Sequence, residues 1–327
     1  MKAKGPILLI ITAVLWGMAF VAQTSAADSV GPFTFNASRN LIGALFLTGV
    51  IAFRKRTGQD TPPARSIPST GRRSTAGAAT PTEGSPYTRR TLIVSGVLCG
   101  VALCIASLLQ QAGITSYPPD AAAASRSGFV TATYMVMVAV MMTGMGKRPH
   151  VVVFVAVVVA LVGMYLLCVP NGLGSVYLGD WLVLASALGY AVHILIIDRF
   201  TQVDGVRLSR VQLMVSCAIS LVGALVFEHP EPAALLAALV PILYAGICSD
   251  GVAYTLQIIA QKTTDATVAS IIMSLESVFA AIGGWLILSE SLTPVELSGC
   301  ALVFAAVLLS QAPTFIDAKR SKNGSPA

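Results

Sequence analysis

Ten apolar runs follow one another along the 327 residues of this chain, and nearly all of its charge is gathered between them. Each run approaches the length of about 20 residues that a helix needs to cross roughly 30 Å of hydrocarbon. The runs are about 6–25, 33–53, 91–111, 119–143, 150–169, 180–198, 210–227, 233–258, 264–288 and 294–311. Prolines stand at or beside the starts of the fifth, eighth and tenth runs, where a missing N–H costs a helix nothing. A soluble globule is excluded on composition. Hydrophobic residues make up 55% and charged residues 11%, against about 25% charged in ordinary soluble domains, and mean hydropathy is +0.78. The first run follows Met1-Lys-Ala-Lys4 and is long for a signal peptide, so it reads as a retained helix.

The basic residues orient the chain. With the N-terminus in the cytoplasm, 19 of the 21 Lys and Arg fall in cytoplasmic segments. The other two, Arg39 and Arg126, lie within spans, and the external loops carry Asp28, Asp120, Asp180, Glu228 and Glu231. This is the positive-inside pattern, and one helix more or fewer would reverse every later loop. The expected fold is an all-α polytopic membrane protein with ten transmembrane helices and both termini inside, in a bacterial inner membrane. The net charge of +6 is explained by orientation, so no nucleic-acid partner is expected. The polar segment 57–90, rich in Pro, Ser, Thr, Gly and Arg, is expected to be a disordered cytoplasmic loop whose arginines can meet anionic lipid heads. A short basic tail occupies 314–327.

The fourth and ninth runs align without a gap. Asp120-Ala-Ala-Ala-Ala-Ser125 overlies Asp265-Ala-Thr-Val-Ala-Ser270, and each Asp stands 29 residues before a proline, Pro149 and Pro294. A second copy of a five-helix unit must insert the other way up, because five is odd. The chain therefore divides into halves 1–172 and 173–313, expected to form an inverted repeat suited to alternating access around a central site. Asp120 and Asp265 read as acids at helix N-termini, facing the dipole.

Several stretches also resemble the EamA group of the drug/metabolite transporter superfamily. They include Gly179–Arg199 with Gln212, Tyr254–Lys262, Ala269–Trp285, Ser289-Glu290 and, in the first half, Leu109-Gln110, Gly128–Tyr134 and Lys147-Arg148-Pro149. The resemblance spans nearly the whole chain. It implies a ten-helix secondary carrier with a cavity lined by both halves, and amino acids or related metabolites as frequent exported solutes. Uptake or exchange of another small solute is the alternative; a membrane sensor or scaffold is more remote. Relatives often carry proline in the central helices where this chain has Ser277 and Ala139, and its absence predicts straighter helices.

Ionisable and polar residues at membrane depth mark candidate sites, because they are costly in lipid. Glu276, mid-span, is a candidate for a coupling proton or a cationic group, with packing as the plain alternative; Asp250 is a second acid. Arg126 is a candidate carboxylate ligand, while Arg39 is expected to reach outward or pair with an acid. Gln110, Gln257, Thr131, Ser274 and His193 add hydrogen-bonding groups, and Trp16, Tyr134, Tyr190 and Tyr254 add amphipathic rings. The six cysteines read as packing groups, without a CxxC. Gly96 and Gly100 read as a close-packing motif within the chain. No enzyme motif, metal site or cofactor motif is present. The expected partners are a small-molecule solute, membrane lipids and, for a coupled carrier, protons.

Overall fold

The computed structural model describes residues 4–58, 87–119, 121–147, 151–168 and 177–290, together with 293–295, 297–299, 301–302, 304–306 and 308–309. Most of the 57–90 loop, Asp120, Pro149 and the 314–327 tail, on which expectations were placed, lie outside these residues. Helices α1 (Lys4–Ala26), α2 (Pro32–Arg56) and α3 (Arg89–Thr115) are followed by α4 (Ala123–Ala132), α5 (Tyr134–Gly144) and α6 (Val151–Cys168). Then come α7 (Leu178–Arg199), α8 (Gly205–Gly223), α9 (Pro232–Ala237), α10 (Leu239–Tyr244), α11 (Tyr254–Ala260), α12 (Ala266–Met273) and α13 (Glu276–Leu288). Among the described residues, eight helical stretches are long and apolar enough to cross a membrane. Shorter apolar helices, Val151–Gly163 and Leu297–Ala306, stand where the fifth and tenth runs were expected.

The surface carries many exposed large apolar residues, and the interior holds polar residues among its apolar core. Leu45, Val151 and Val240 are 62, 73 and 76% exposed, whereas Asn36, Gln111, Gln212, Asp250 and Glu276 are buried. That distribution suits lipid outside and hydrogen-bonding partners inside. Many buried hydroxyls bond back to their own helix, as Thr12 donates to Leu8 O at 2.9 Å and Ser107 to Leu103 O at 2.7 Å. Helix α3 packs along α7 and α8, α2 along α8, and α1 along α13, which also meets α4. Gly96 and Gly100 face α8; a Cβ on Gly100 would lie 2.7 Å from Gln212 O. This glycine pair thus packs within the chain. Cys99, Cys104, Cys217 and Cys248 are free thiols, all buried or half-buried.

The central helices, expected to be straighter for their lack of proline, are interrupted. The fourth run breaks at Thr133 and the ninth at Ser274-Leu275. There the backbone switches to i→i+3 bonds: Thr133 N to Val130 O (3.2 Å), Val136 N to Thr133 O (3.0 Å), Leu275 N to Ile272 O (3.2 Å) and Ser277 N to Ser274 O (3.1 Å). Proline is only one route to a local break. Here Ser274 and Ser277 turn their hydroxyls onto the carbonyls of Ile271 and Ser274, three residues back, and Thr133 does the same to Val130 O, favouring a tightened turn. The eighth run also departs from a single helix. Its middle, Ala245–Ala253, is π-helical. It crosses α2 closely at Gly246, so that a Cβ on Gly43 would lie 2.8 Å from Gly246 O.

Two carboxylates from the second half cap helices of the first. Glu228 accepts from Phe33 N (2.9 Å) and Thr34 N (2.7 Å) at the start of α2. Glu290 accepts from Ala124 N (3.0 Å), Ser125 N (3.1 Å) and the Ser125 hydroxyl at the start of α4. Ala122, the residue before α4, is left-handed with φ 47° and offers no side-chain cap, so Glu290 satisfies amides that would otherwise be orphaned. At the opposite end, Arg54 pairs with Asp204 at 3.2 Å, and Asp204 caps α8 through Arg207 N. Lys147 bonds Asp198 at 2.8 Å there, and that hydrogen bond pushes its ammonium above the usual lysine range. Asp265 is the N-cap of α12, accepting from Thr267 N at 2.9 Å. Glu290→Ala is expected to cost about 1–3 kcal/mol. It should lower the thermal unfolding midpoint in detergent; an unchanged midpoint contradicts the capping role.

Candidate functional site

Among the described residues, the interruptions in the central helices and the π segment converge on a cavity of about 30 Å³, enough in this conformation for a water-sized group. Helix α1 contributes Trp16, Ala19, Phe20 and Gln23, and α2 contributes Arg39. Gln110 comes from α3, Thr131 from α4, Tyr134 from α5, and Tyr190, His193 and Ile194 from α7. Ser249 lies on the π segment, Tyr254 and Gln257 on α11, and Glu276 on α13. Both halves of the chain therefore line the space.

Most of the residues singled out in the sequence meet here: Trp16, Gln110, Thr131, Tyr134, Tyr190, His193, Tyr254, Gln257 and Glu276. Three do not. Arg126 is held by Asp180 through Nε–Oδ1 (2.6 Å) and Nη2–Oδ2 (2.8 Å), and lies 4.9 Å from the Tyr177 ring centre. Its guanidinium is used in joining α4 to α7, which corrects its reading as a cavity ligand. Ser274 bonds Ile271 O at 2.7 Å, within its own helix, and does not line the cavity. Asp250 is fully buried behind the wall, where Oδ2 stands 3.3 Å from Arg39 Nε. Arg39 is the residue that faces the cavity, so it pairs inward and does not reach outward. Gln23, Phe20, Ile194 and Ser249 were not singled out. Gln23, a polar residue late in an apolar run, carried a usable signal; Phe20 and Ile194 look like any packing residue.

The polar groups fall into two kinds. One set is mutually bonded. Tyr190 donates to Gln110 Oε1 (3.0 Å), Gln110 Nε2 donates to Thr131 (3.0 Å), and His193 Nε2 meets Gln212 Oε1 (3.0 Å). The other set is unsatisfied: Trp16 Nε1, Gln23 Oε1, Arg39 Nε, the Tyr134 hydroxyl, both amide atoms of Gln257, and Glu276 Oε1 are buried without a hydrogen-bond partner among the described residues. Tyr134 stands beside Glu276. Aromatic rings complete the wall: Trp16 lies 4.9 Å from Tyr254, tilted by 59°, and His193 meets Tyr254 edge-on at 5.6 Å. Buried orphan donors and acceptors around a cavity are what a bound polar solute would satisfy.

A multi-pass helical membrane protein with a polar cavity walled by both halves is the class that fold and site define. The EamA-like transporter family matches residues 3–169 and 177–311; the chain belongs to that family. A protein of Archaeoglobus fulgidus named as an uncharacterized transporter is 26% identical over 307 residues, covering 92% of this chain and 83% of its own length. A solved crystal structure shares the fold at TM-score 0.71 and 17% identity, over 95% of this chain and 99% of that one.

The Arg39–Asp250 pair generates a test. Removing one member of a buried ion pair costs about 3–5 kcal/mol, whereas replacing both by packed apolar residues is often neutral. Asp250→Ala should sharply lower the unfolding midpoint in detergent, and the double replacement Arg39→Leu with Asp250→Leu should recover most of the loss. A single variant as stable as the parent contradicts the pairing.

Proposed function

We propose that this chain is a secondary carrier that exports amino acids or related small metabolites by alternating access through the central cavity. The observation that carries the reading is Glu276, buried on α13 at the wall of the cavity with Oε1 unpartnered. A lipid-embedded protein keeps such a group at a cost, and substrate or ion pathways are where the cost is usual. A carboxylate there can hold a proton or contact a cationic group, which makes proton coupling part of the proposal.

The wider architecture proposed is ten transmembrane helices with both termini inside, in two inverted halves, 1–172 and 173–313. The positive-inside pattern supports the count and orientation. The family match falling separately on 3–169 and 177–311 supports the halves. So does the packing: α7 lies along α3 much as α1 lies along the eighth run, its counterpart after inversion. Interruptions in both central helices give each half a place to bend, as a carrier needs.

The test is efflux from proteoliposomes loaded with a small-metabolite extract. Amine-bearing solutes are expected to leave faster than from protein-free vesicles, and Glu276→Gln is expected to slow them by about tenfold or more, equivalent to a rise of about 1.4 kcal/mol in the barrier. If no solute leaves faster with the protein than without it, the carrier reading fails. Flux that is the same with the pH gradient imposed and collapsed would remove proton coupling alone.

A further inference from the structure

The charges around the cavity do not balance, and the imbalance has a sign. Two ionisable side chains of opposite charge line it, Arg39 and Glu276. Arg39 already has a countercharge, since Asp250 stands 3.3 Å behind it and both side chains are buried. Glu276 has none: among the described residues its carboxylate belongs to no ion pair. His193 is turned toward Gln212 and Tyr254, so it does not fill that role. Other basic residues that form pairs do so away from the cavity, Arg126 with Asp180, Arg54 with Asp204 and Lys147 with Asp198.

A solute that enters must meet this arrangement. A positive nitrogen would complete the Glu276 pair and place its N–H groups against acceptors that lack partners, Glu276 Oε1 and the Gln257 carbonyl. It would also lie among the rings of Trp16, Tyr134, Tyr190 and Tyr254, and an aromatic face attracts a cation. A carboxylate meets the reverse. It would have to compete with Asp250 for Arg39, and it would leave the Glu276 carboxyl without a countercharge.

We infer that the cavity selects small organic cations, protonated amines and quaternary ammonium compounds, over zwitterions and carboxylates, with Glu276 as the countercharge and the Arg39–Asp250 pair as a neutralised wall. Asp250 is then a selectivity-determining residue that never touches the solute. The inference rests on the reading of this cavity as the solute site, and among amino acids and related metabolites it singles out the cationic amines and sets the zwitterionic amino acids aside.

Three probes that share a phenyl ring and differ in charge test it: phenethylamine, phenylalanine and 3-phenylpropionate. Binding is measured by calorimetry on the full chain in lipid nanodiscs at neutral pH. Phenethylamine is expected to bind at least about tenfold more tightly than phenylalanine, with phenylpropionate weakest. Glu276→Gln should remove the amine's advantage without weakening phenylpropionate. Asp250→Asn should release Arg39 and shift preference toward the two carboxylate-bearing probes. If that variant does not fold, the parent and Glu276→Gln still decide. Phenylalanine or phenylpropionate binding as tightly as the amine in the parent overturns the inference, as does a parent that binds none of the three at millimolar concentration. Either result beside measurable efflux leaves the carrier reading standing. Amine binding without efflux of any solute would instead remove the carrier reading and keep the selectivity.

Discussion

Hydrocarbon cannot hydrogen-bond, and that constraint organises the rest of this molecule. Every backbone amide in lipid must be satisfied by its own helix, and each polar side chain must find a partner inside the protein. The bundle obeys it with apolar residues outside, hydroxyls folded back on their own helices, and acids set on helix starts. Glu228 and Glu290 show the economy of the arrangement. Each satisfies amides at the start of a helix from the other half, so the groups that close the backbone ladder also tie the halves together.

Against that background the central cavity gathers polar groups from both halves, and among the described residues several of them lack hydrogen-bond partners. Trp16, Gln257 and Glu276 present unpartnered polar atoms where the helix geometry itself is least regular. The tightened turns at Thr133 and Ser274-Leu275 and the π segment Ala245–Ala253 leave the regular α ladder near the middle of their spans. Irregular backbone at membrane depth is tolerated where it is buried in protein or lines a cavity. At this cavity, unsatisfied polar atoms and irregular backbone occur together.

Much of this was legible in the sequence, for identifiable reasons. Apolar runs at membrane length report helices directly, and a lone Glu276 in such a run announces itself by its cost. Pairings were less legible. Nothing local says that Asp250 stands behind Arg39 or that Asp180 takes Arg126, because each contact joins residues far apart in sequence and depends on how helices cross. The helix interruptions were not legible, because the absence of proline removes only one cause of a break, and serine and threonine hydroxyls and glycine-mediated crossings reshape the ladder too. Phe20 and Ile194 carry no chemistry that would mark them as wall residues before the bundle is assembled.

The central claim is that one cavity serves both faces of the membrane. It is tested most directly by placing a single cysteine at Thr131 in a background without the native cysteines. The protein is reconstituted in one orientation and exposed to a membrane-impermeant thiol reagent from each side in turn. The account predicts labelling from either side, at rates that a bound solute lowers. Labelling from one side only, under every condition of solute and gradient, would contradict alternating access through this cavity.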